Sequence, residues 1–480
     1  MEDQVNTSGV ALVLTLARYF KRWSLWSKDI IILVSGDSTS GPQAWVDAYH
    51  DGHDERHVES LKIKSGALQG AVAIDYPAGP WGHRYDKLHI VYDGVNGQLP
   101  NLDLFNTAVQ IATGQMGLGC VIQRMWQHTD TYQDRLQTML RGMISQGLGH
   151  ATGPHSSFIP YHVDAITLVT HGDGWHDEMT LGRTVESLFR SLNNLLEHLH
   201  QSFFFYLLIK TTRFISIGTY LPSAMLIAVN FSITSIALWV LSGRSTKPVP
   251  NPASTEPVKN DTKDADPAKK DAPPATELIE KDGLRAIVPV AATTIVERHL
   301  FFPVLAVLAT HFIGLVPLSM FNNWDASSLP RLYVTFANAT TVLPIFAAWV
   351  LSELRPLTRQ DTMLIQCFSL LLLGMFLAAL ATLNFSLSFL IGVLTTPLSF
   401  VRRAKSTPWT IAQFALLAVL NPVLVAHWST RLLGGDLQQV LVLAAQGWHI
   451  WGLWTQVVFW LVWWPAWMLA ATVVAGGMVG

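Results

Sequence analysis

Seven apolar stretches fill the chain after Phe203, and they dictate its architecture. They lie at Phe214–Leu241, Leu300–Phe321, Leu332–Leu351, Met363–Leu383, Phe385–Val401, Ile411–Trp428 and Val440–Val474. Each is near the ~20 apolar residues that a helix needs to cross a hydrocarbon core. A backbone in lipid must satisfy its own hydrogen bonds, so such stretches fold as helices. The pattern predicts an all-α bundle of seven spans. The fifth is short, and the last is long enough to be tilted or broken. A weaker piece, Ala286–Val296, holds Thr293 and Thr294 and precedes Glu297 and Arg298, which puts it at the interface.

Residues 1–200 follow other periodicities. Lys28–Gly36 (KDIIILVSG) is a continuous apolar run, the pattern of a strand buried on both faces. Pro42–Asp51 reads as a helix with Pro near its first turn. Ala71–Tyr76, Leu88–Tyr92 and Tyr161–Val169 read as strands, and Asn101–Gly114 and Thr131–Gln146 as helices. This alternation predicts an α/β sandwich with helices on both faces of a sheet. The chain is 50% hydrophobic and only 14% charged, as a part-globular, part-membrane protein would be. A net charge of -2 supplies no basic field, so nucleic acid is excluded as a partner.

The two halves meet at Leu181–Pro222. Leu181, Val185, Leu188, Leu192, Leu195, Leu196 and Leu199 recur at three- and four-residue steps, which predicts an amphipathic helix over Leu181–His200. From Phe203 the chain turns apolar and leads into the first span. Gly243–Gly283 is rich in Pro, Lys, Asp, Ala and Thr, has no aromatic residue, and reads as a disordered tether. The expected organisation is an α/β domain over 1–200, a junction and first span over 201–242, a loop over 243–285, and six spans over 286–480. Arg244 and Lys247, Arg355 and Arg359, and Arg402, Arg403 and Lys405 follow alternate spans and fall on one side. The positive-inside rule assigns that side to the cytosol, so the α/β domain is expected on the other. Arg331 and Arg431 are the exceptions.

Candidate sites are few. His53 and His57 stand four apart in HDGHDERH (His50–His57), but Glu55 is misplaced for a zinc-protease helix, and a solvated loop is the expected reading. Asp75 ends the apolar run AVAI, where α/β folds place ligands; a cap on the turn at Tyr76-Pro77 is the alternative. No nucleophile elbow, P-loop or dinucleotide fingerprint occurs, and the two cysteines, Cys120 and Cys367, make no zinc-finger spacing. The last span is crowded with tryptophan, including Trp454, Trp463, Trp464 and Trp467, and Pro465 should kink or break it.

Lys28–Asp51, Gly94–Phe105 (GVNGQLPNLDLF) and Leu192–Pro222 (LNNLLEHLHQSFFFYLL…FISIGTYLP) resemble the GPI-anchor attachment subunit of the GPI transamidase complex. The resemblance covers the α/β domain from its middle onward and the whole membrane region. It implies a multi-pass protein of the endoplasmic reticulum membrane. It also implies a lumenal domain similar to zinc aminopeptidases, followed by seven spans. The family's first span and the start of its lumenal domain have no counterpart, so the chain is expected to be an N-terminally truncated, incomplete form. The resemblance further implies a non-catalytic role with no cofactor and no metal. Asp75 is the single position like an aminopeptidase ligand. Implied partners are a cysteine-protease-like catalytic subunit, other transamidase subunits, the proprotein and the GPI glycolipid. GPI recognition is implied in the last span and on its proline, which points to Pro465 with Trp454, Trp463 and Trp464. The competing readings are a metal-dependent peptidase or peptide-bond-forming enzyme and, more remotely, a polytopic transporter.

Overall fold

The structure, a computed structural model, describes residues 6–54, 56, 59–77, 84–196, 199, 204–246, 276–281, 284–289, 293–355, 357–403 and 406–479. A mixed α/β region comes first and a helical region follows. The first contains helices α1 (Thr7–Lys21), α2 (Ser40–Tyr49), α3 (Leu102–Gln110), α4 (Tyr132–Leu148) and α5 (Glu178–Asn193). Its strands are β1 (Gly70–Asp75), β2 (Tyr85–Val91), β3 (Gly119–Val121) and β4 (Asp164–His176). They form one sheet in the order β1-β4-β2-β3, in which β1 runs parallel to β4 and β2 antiparallel to it. Leu88, Ile90, Ile166 and Leu168 from the two central strands are wholly buried against Phe105, Leu181 and Leu188.

Four expectations need correction here. Lys28–Gly36 is extended but pairs with no strand among the described residues, and Ile31, Ile32 and Val34 are exposed. An apolar run reports burial potential without naming a partner, and β1, the neighbouring edge strand, is only half-buried. The amphipathic helix starts at Glu178, capped by Asp177, and ends at Asn193, short of His200. Its last carbonyl is satisfied sideways: Ser27 Oγ and Lys28 Nζ donate to the Asn193 carbonyl at 3.2 and 3.3 Å. Leu196 beyond it is fully exposed. The lead into the first span is an antiparallel hairpin, β5 (Tyr206–Lys210) and β6 (Arg213–Ser216). Most of the predicted tether, 247–275, lies outside the described residues, but its flanks are strands. β7 (Arg244–Thr246) pairs with β10 (Thr293–Ile295), and β8 (Thr276–Lys281) with β9 (Leu284–Pro289).

The helical region comprises α6 (Ile217–Ser242), α7 (Phe301–Ile313), α8 (Leu315–Asn323), α9 (Leu329–Leu354), α10 (Arg359–Leu383) and α11 (Phe385–Thr395). It continues with α12 (Thr407–Val419), α13 (Pro422–Leu432), α14 (Leu437–Trp451), α15 (Thr455–Val458) and α16 (Trp464–Val479). Among the described residues five helices are long and apolar enough to cross a membrane: Ile217–Ser242, Phe301–Asn323, Leu329–Leu354, Arg359–Leu383 and Thr455–Gly477. The pair α12 and α13, bent by 49° where Asn421 accepts from the Val423 amide at the start of α13, makes up to a sixth. The predicted count of seven is not reached on length, because Phe385–Phe400 is shorter. The predicted span Val440–Val474 is two elements. Gly452, at φ 61°, stops α14 before the last span begins at Thr455.

Small residues let the first span and α10 meet closely. A Cβ on Gly374 would lie 3.0 Å from the Ala228 carbonyl oxygen and 3.0 Å from Phe231 Cβ. Ser235 Oγ donates to the Cys367 carbonyl at 2.8 Å across the same contact. At one end of the bundle Arg403 Nη1 reaches the Leu357 carbonyl, and Arg298 stacks 4.4 Å over the Trp239 ring. The α/β domain sits at the other end, against the α10–α11 turn.

Gly374→Val should force α6 and α10 apart, at a cost of about 1–3 kcal/mol for overpacking. Thermal unfolding of the detergent-solubilised protein is the measurement, and the variant's midpoint is expected several degrees lower.

Candidate functional site

The densest buried polar cluster stands where β2 ends. Asp93, 3% exposed, accepts from Gln123 Nε2 through both carboxylate oxygens at 3.0 Å. The same amide donates to Tyr92 Oη at 3.1 Å. The Asp93 carbonyl accepts from His155 Nε2 at 3.0 Å, while His155 Nδ1 faces Thr167 Oγ1 at 2.7 Å. A carbonyl only accepts, so Nε2 carries the proton; burial keeps the ring from taking a second one, so the Thr167 hydroxyl donates to Nδ1. His155 is thereby neutral, with both ring nitrogens engaged. Burial holds it down to about 4 and His89 to about 4, and pushes Asp93 up to about 6. The cluster borders a cleft of about 2290 Å³ that runs along β1.

Asp75 lines the same cleft at the end of β1, opposite Val169, and burial raises its carboxyl. His53 lies after α2 with Nδ1 3.2 Å from the Asp47 carbonyl. Its proposed companion His57 lies outside the described residues, as does Glu55. Among the described residues no three His, Cys, Asp or Glu side chains gather at metal-binding geometry.

The last span is the most buried of the helices. Trp463, Trp464 and Pro465 face the bundle's core, while Trp454 is half-buried at its mouth. Pro465, expected to kink or break the helix, lies within the continuous span Thr455–Gly477. The turn Phe459–Trp463 widens to π geometry instead, with the Trp464 amide donating to the Phe459 carbonyl. Proline lacks an N–H and collides with the carbonyl four residues back; one extra residue in the preceding turn relieves the collision, and a carbonyl is still left without that donor. The bulge turns the Trp460 carbonyl toward Gly314, where a Cβ would lie only 2.1 Å from it. Trp460 stacks on Phe321 at 5.2 Å, and Trp467 Nε1 donates to the Leu417 carbonyl at 2.7 Å. Trp464 Nε1 is buried and has no partner among the described residues.

The mouth of this span is tied to the α/β domain. The Trp454 amide donates to Asn96 Oδ1 at 3.1 Å, and Thr455 Oγ1 to the Leu148 carbonyl at 3.2 Å. Asn384 Nδ2 donates to the carbonyls of Asn96 and Gln146 at 2.9 and 2.8 Å. Asp93, His155, Asn96 and Asn384 were not singled out from the sequence. The string GVNGQLPN was, as the carrier of a resemblance, and Asn96 is its third residue.

The buried cluster makes a signed prediction. Between about pH 4 and 6 the folded protein keeps a proton on Asp93 that the unfolded chain, at 3.8, has released. That group adds stability as pH falls through 6. His89 and His155 act oppositely, because the unfolded chain protonates them below 6.5 and the folded protein does not. Asp93→Asn removes only the first effect. Stability of the variant should therefore fall more steeply from pH 6 to 4, by up to about 1.4 kcal/mol per pH unit. Denaturant unfolding across that range measures the slope.

Comparison with known proteins places these elements. Residues 1–471 match the family described as Gaa1-like, GPI transamidase component. GPI transamidase component gaa1 of Schizosaccharomyces pombe is 30% identical over 444 residues, 88% of this chain and 65% of that protein. GPI transamidase component GAA1 of Saccharomyces cerevisiae is 37% identical over 244 residues, 50% of this chain and 38% of that protein. The chain thus spans less than two thirds of the length of either relative. With a match that runs through the α/β domain, the Asn96 loop and the last span alike, the chain belongs to the Gaa1-like family of GPI transamidase components.

Proposed function

We propose that this chain is a non-catalytic subunit of the GPI transamidase, which holds GPI and presents it, with the proprotein, for anchor attachment in the endoplasmic reticulum. The observation that carries the reading is the family match along residues 1–471. The chemistry of the chain agrees with a nucleophile on another, cysteine-protease-like subunit. Burial pushes the Cys120 thiol up to about 12, so it is not a thiolate near neutrality. Cys367 is locked in the bundle against Ser235. His155, the most buried histidine of the cleft, spends both ring nitrogens on structure.

In this reading the α/β domain is lumenal and aminopeptidase-like, and the chain crosses the membrane seven times. The short segment Phe385–Phe400 supports the seventh crossing. It starts beside the C-terminal end of α10, where Ser388 Oγ donates to Leu377 O at 2.7 Å, and Arg403 after it reaches Leu357 at the other end. Together with the stretch to Arg403 it therefore runs alongside α10 from Leu377 to the residues before its start. The basic residues Arg298, Arg355 and Arg403 then face the cytosol.

The last span helps seat the glycolipid. Trp454, at the mouth, stands nearest the headgroup, and its amphipathic ring suits a boundary between sugar and acyl chain. Pro465, with Trp463 and Trp464, acts from within the bundle by fixing the π turn that sets the span's face. Pro465→Leu restores an amide and lets the turn close to α geometry, which rotates the helix before it by about 100°. Affinity purification of the complex from native membranes tests both levels. The wild-type chain is expected to bring down a cysteine-protease-like subunit and GPI, and Pro465→Leu to keep the subunit and lose most of the GPI. A chain recovered alone from gently solubilised membranes would refute the subunit reading. Wild-type GPI recovery with Pro465→Leu would refute the role of the span.

A further inference from the structure

Asn96 sits in the Val95–Gly97 turn with φ 59°, a left-handed conformation that asparagine tolerates better than most residues. Every polar group it has is spent. Its amide donates to the Gly149 carbonyl at 2.8 Å, and its carbonyl accepts from Asn384 Nδ2 at 2.9 Å. Its side chain accepts from the Trp454 amide at 3.1 Å and donates to the Gly452 carbonyl at 3.4 Å. The approach is close enough to forbid side chains on its neighbours. A Cβ on Gly97 would lie 2.3 Å from Asn384 Nδ2, and one on Gly149 would lie 3.0 Å from Asn96 Cα.

What the side chain grips is a helix end that lacks a cap of its own. The helix at Thr455 has no side-chain cap from its N-terminal residue, and the chain before it is broken at Gly452. Amides at a helix start have no intrahelical acceptor, so an oxygen supplied from elsewhere fixes where the helix begins. A shift by one residue would move the span 1.5 Å and turn it 100°. Such a slip would carry Trp460 off Gly314, where the fit admits no Cβ. We propose that Asn96 is a positioning residue: its side chain caps the last span from the α/β domain and so sets the height and rotation at which that span presents its glycolipid-facing surface. This rests on the reading of the last span given above.

The test uses the assembled complex with Asn96→Ala, Asn96→Asp, Asn384→Ala and Pro465→Leu. Three readouts are taken: subunits recovered, GPI recovered, and amide exchange in peptides covering 452–460. Asn96→Ala should keep the subunits, lower GPI recovery about tenfold, and speed exchange at Leu453–Gln456, as expected for loss of the side-chain bonds to the Trp454 amide and the Gly452 carbonyl. Asn96→Asp retains the oxygen that the Trp454 amide needs and should restore both. Asn384→Ala cuts the other arm of the same loop; it should lower thermal stability and leave GPI recovery within about twofold, because the cap on Trp454 remains. Wild-type GPI recovery with Asn96→Ala, alongside loss with Pro465→Leu, overturns the positioning role and leaves the span's role standing. Wild-type recovery with both overturns the two together. Equal loss with Ala and Asp at 96, without faster exchange, also overturns it.

Discussion

A helix end within a bilayer or at its edge leaves amides and carbonyls that neither the helix nor lipid can satisfy. The fold of this chain depends on where it finds partners for them. At the α10–α11 turn the partner is Asn384, which caps α11 through the Leu387 amide and reaches two carbonyls of the α/β domain with its other side-chain end. At the start of the last span it is Asn96. At the bend between α12 and α13 it is Asn421, which accepts from Val423 and donates to Thr340 Oγ1 at 3.0 Å. Three asparagines thus hold three helix ends, and two of those ends tie the bundle to the domain above it.

This arrangement makes two bodies behave as one at their contact. The domain's core, built on β2 and β4, ends in Tyr92 and Asp93, and Asn96 follows within one turn. The buried hydrogen bonds of Asp93 therefore steady the loop that grips the membrane helices. A polar network that is fully engaged rigidifies its surroundings, which suits a hinge point meant to stay still.

Much of this was legible in the sequence. Apolar length located the five helices long enough to cross a membrane among the described residues and the bent pair α12–α13, although it ran α14 into the last span, and the alternating pieces of residues 70–176 fall on the observed strands and helices. What escaped was partner choice. The run Lys28–Gly36 has the composition of a central strand and no place in the sheet among the described residues. The periodic leucines after Asn193 do not continue the helix; the Asn193 carbonyl instead accepts from Ser27 and Lys28, 166 and 165 positions away. Likewise Asn96 and Asn384 look like ordinary turn residues until the fold brings them together across 288 positions. Local pattern reports what a segment can bury, and long-range hydrogen bonds decide what it meets.

The π turn before Pro465 has a genetic consequence. The turn holds one residue more than an α-helix would need, and the proline is what makes that extra residue favourable. The two are halves of one change. Deleting a single residue within Phe459–Trp463 while Pro465 remains leaves the ring pressed on a carbonyl, and replacing Pro465 alone leaves a surplus residue. Made together, the two lesions restore an ordinary helix in phase with Gly314 above and Trp467 below. Each should suppress the other, so relatives would be expected to gain or lose the residue and the proline as a pair.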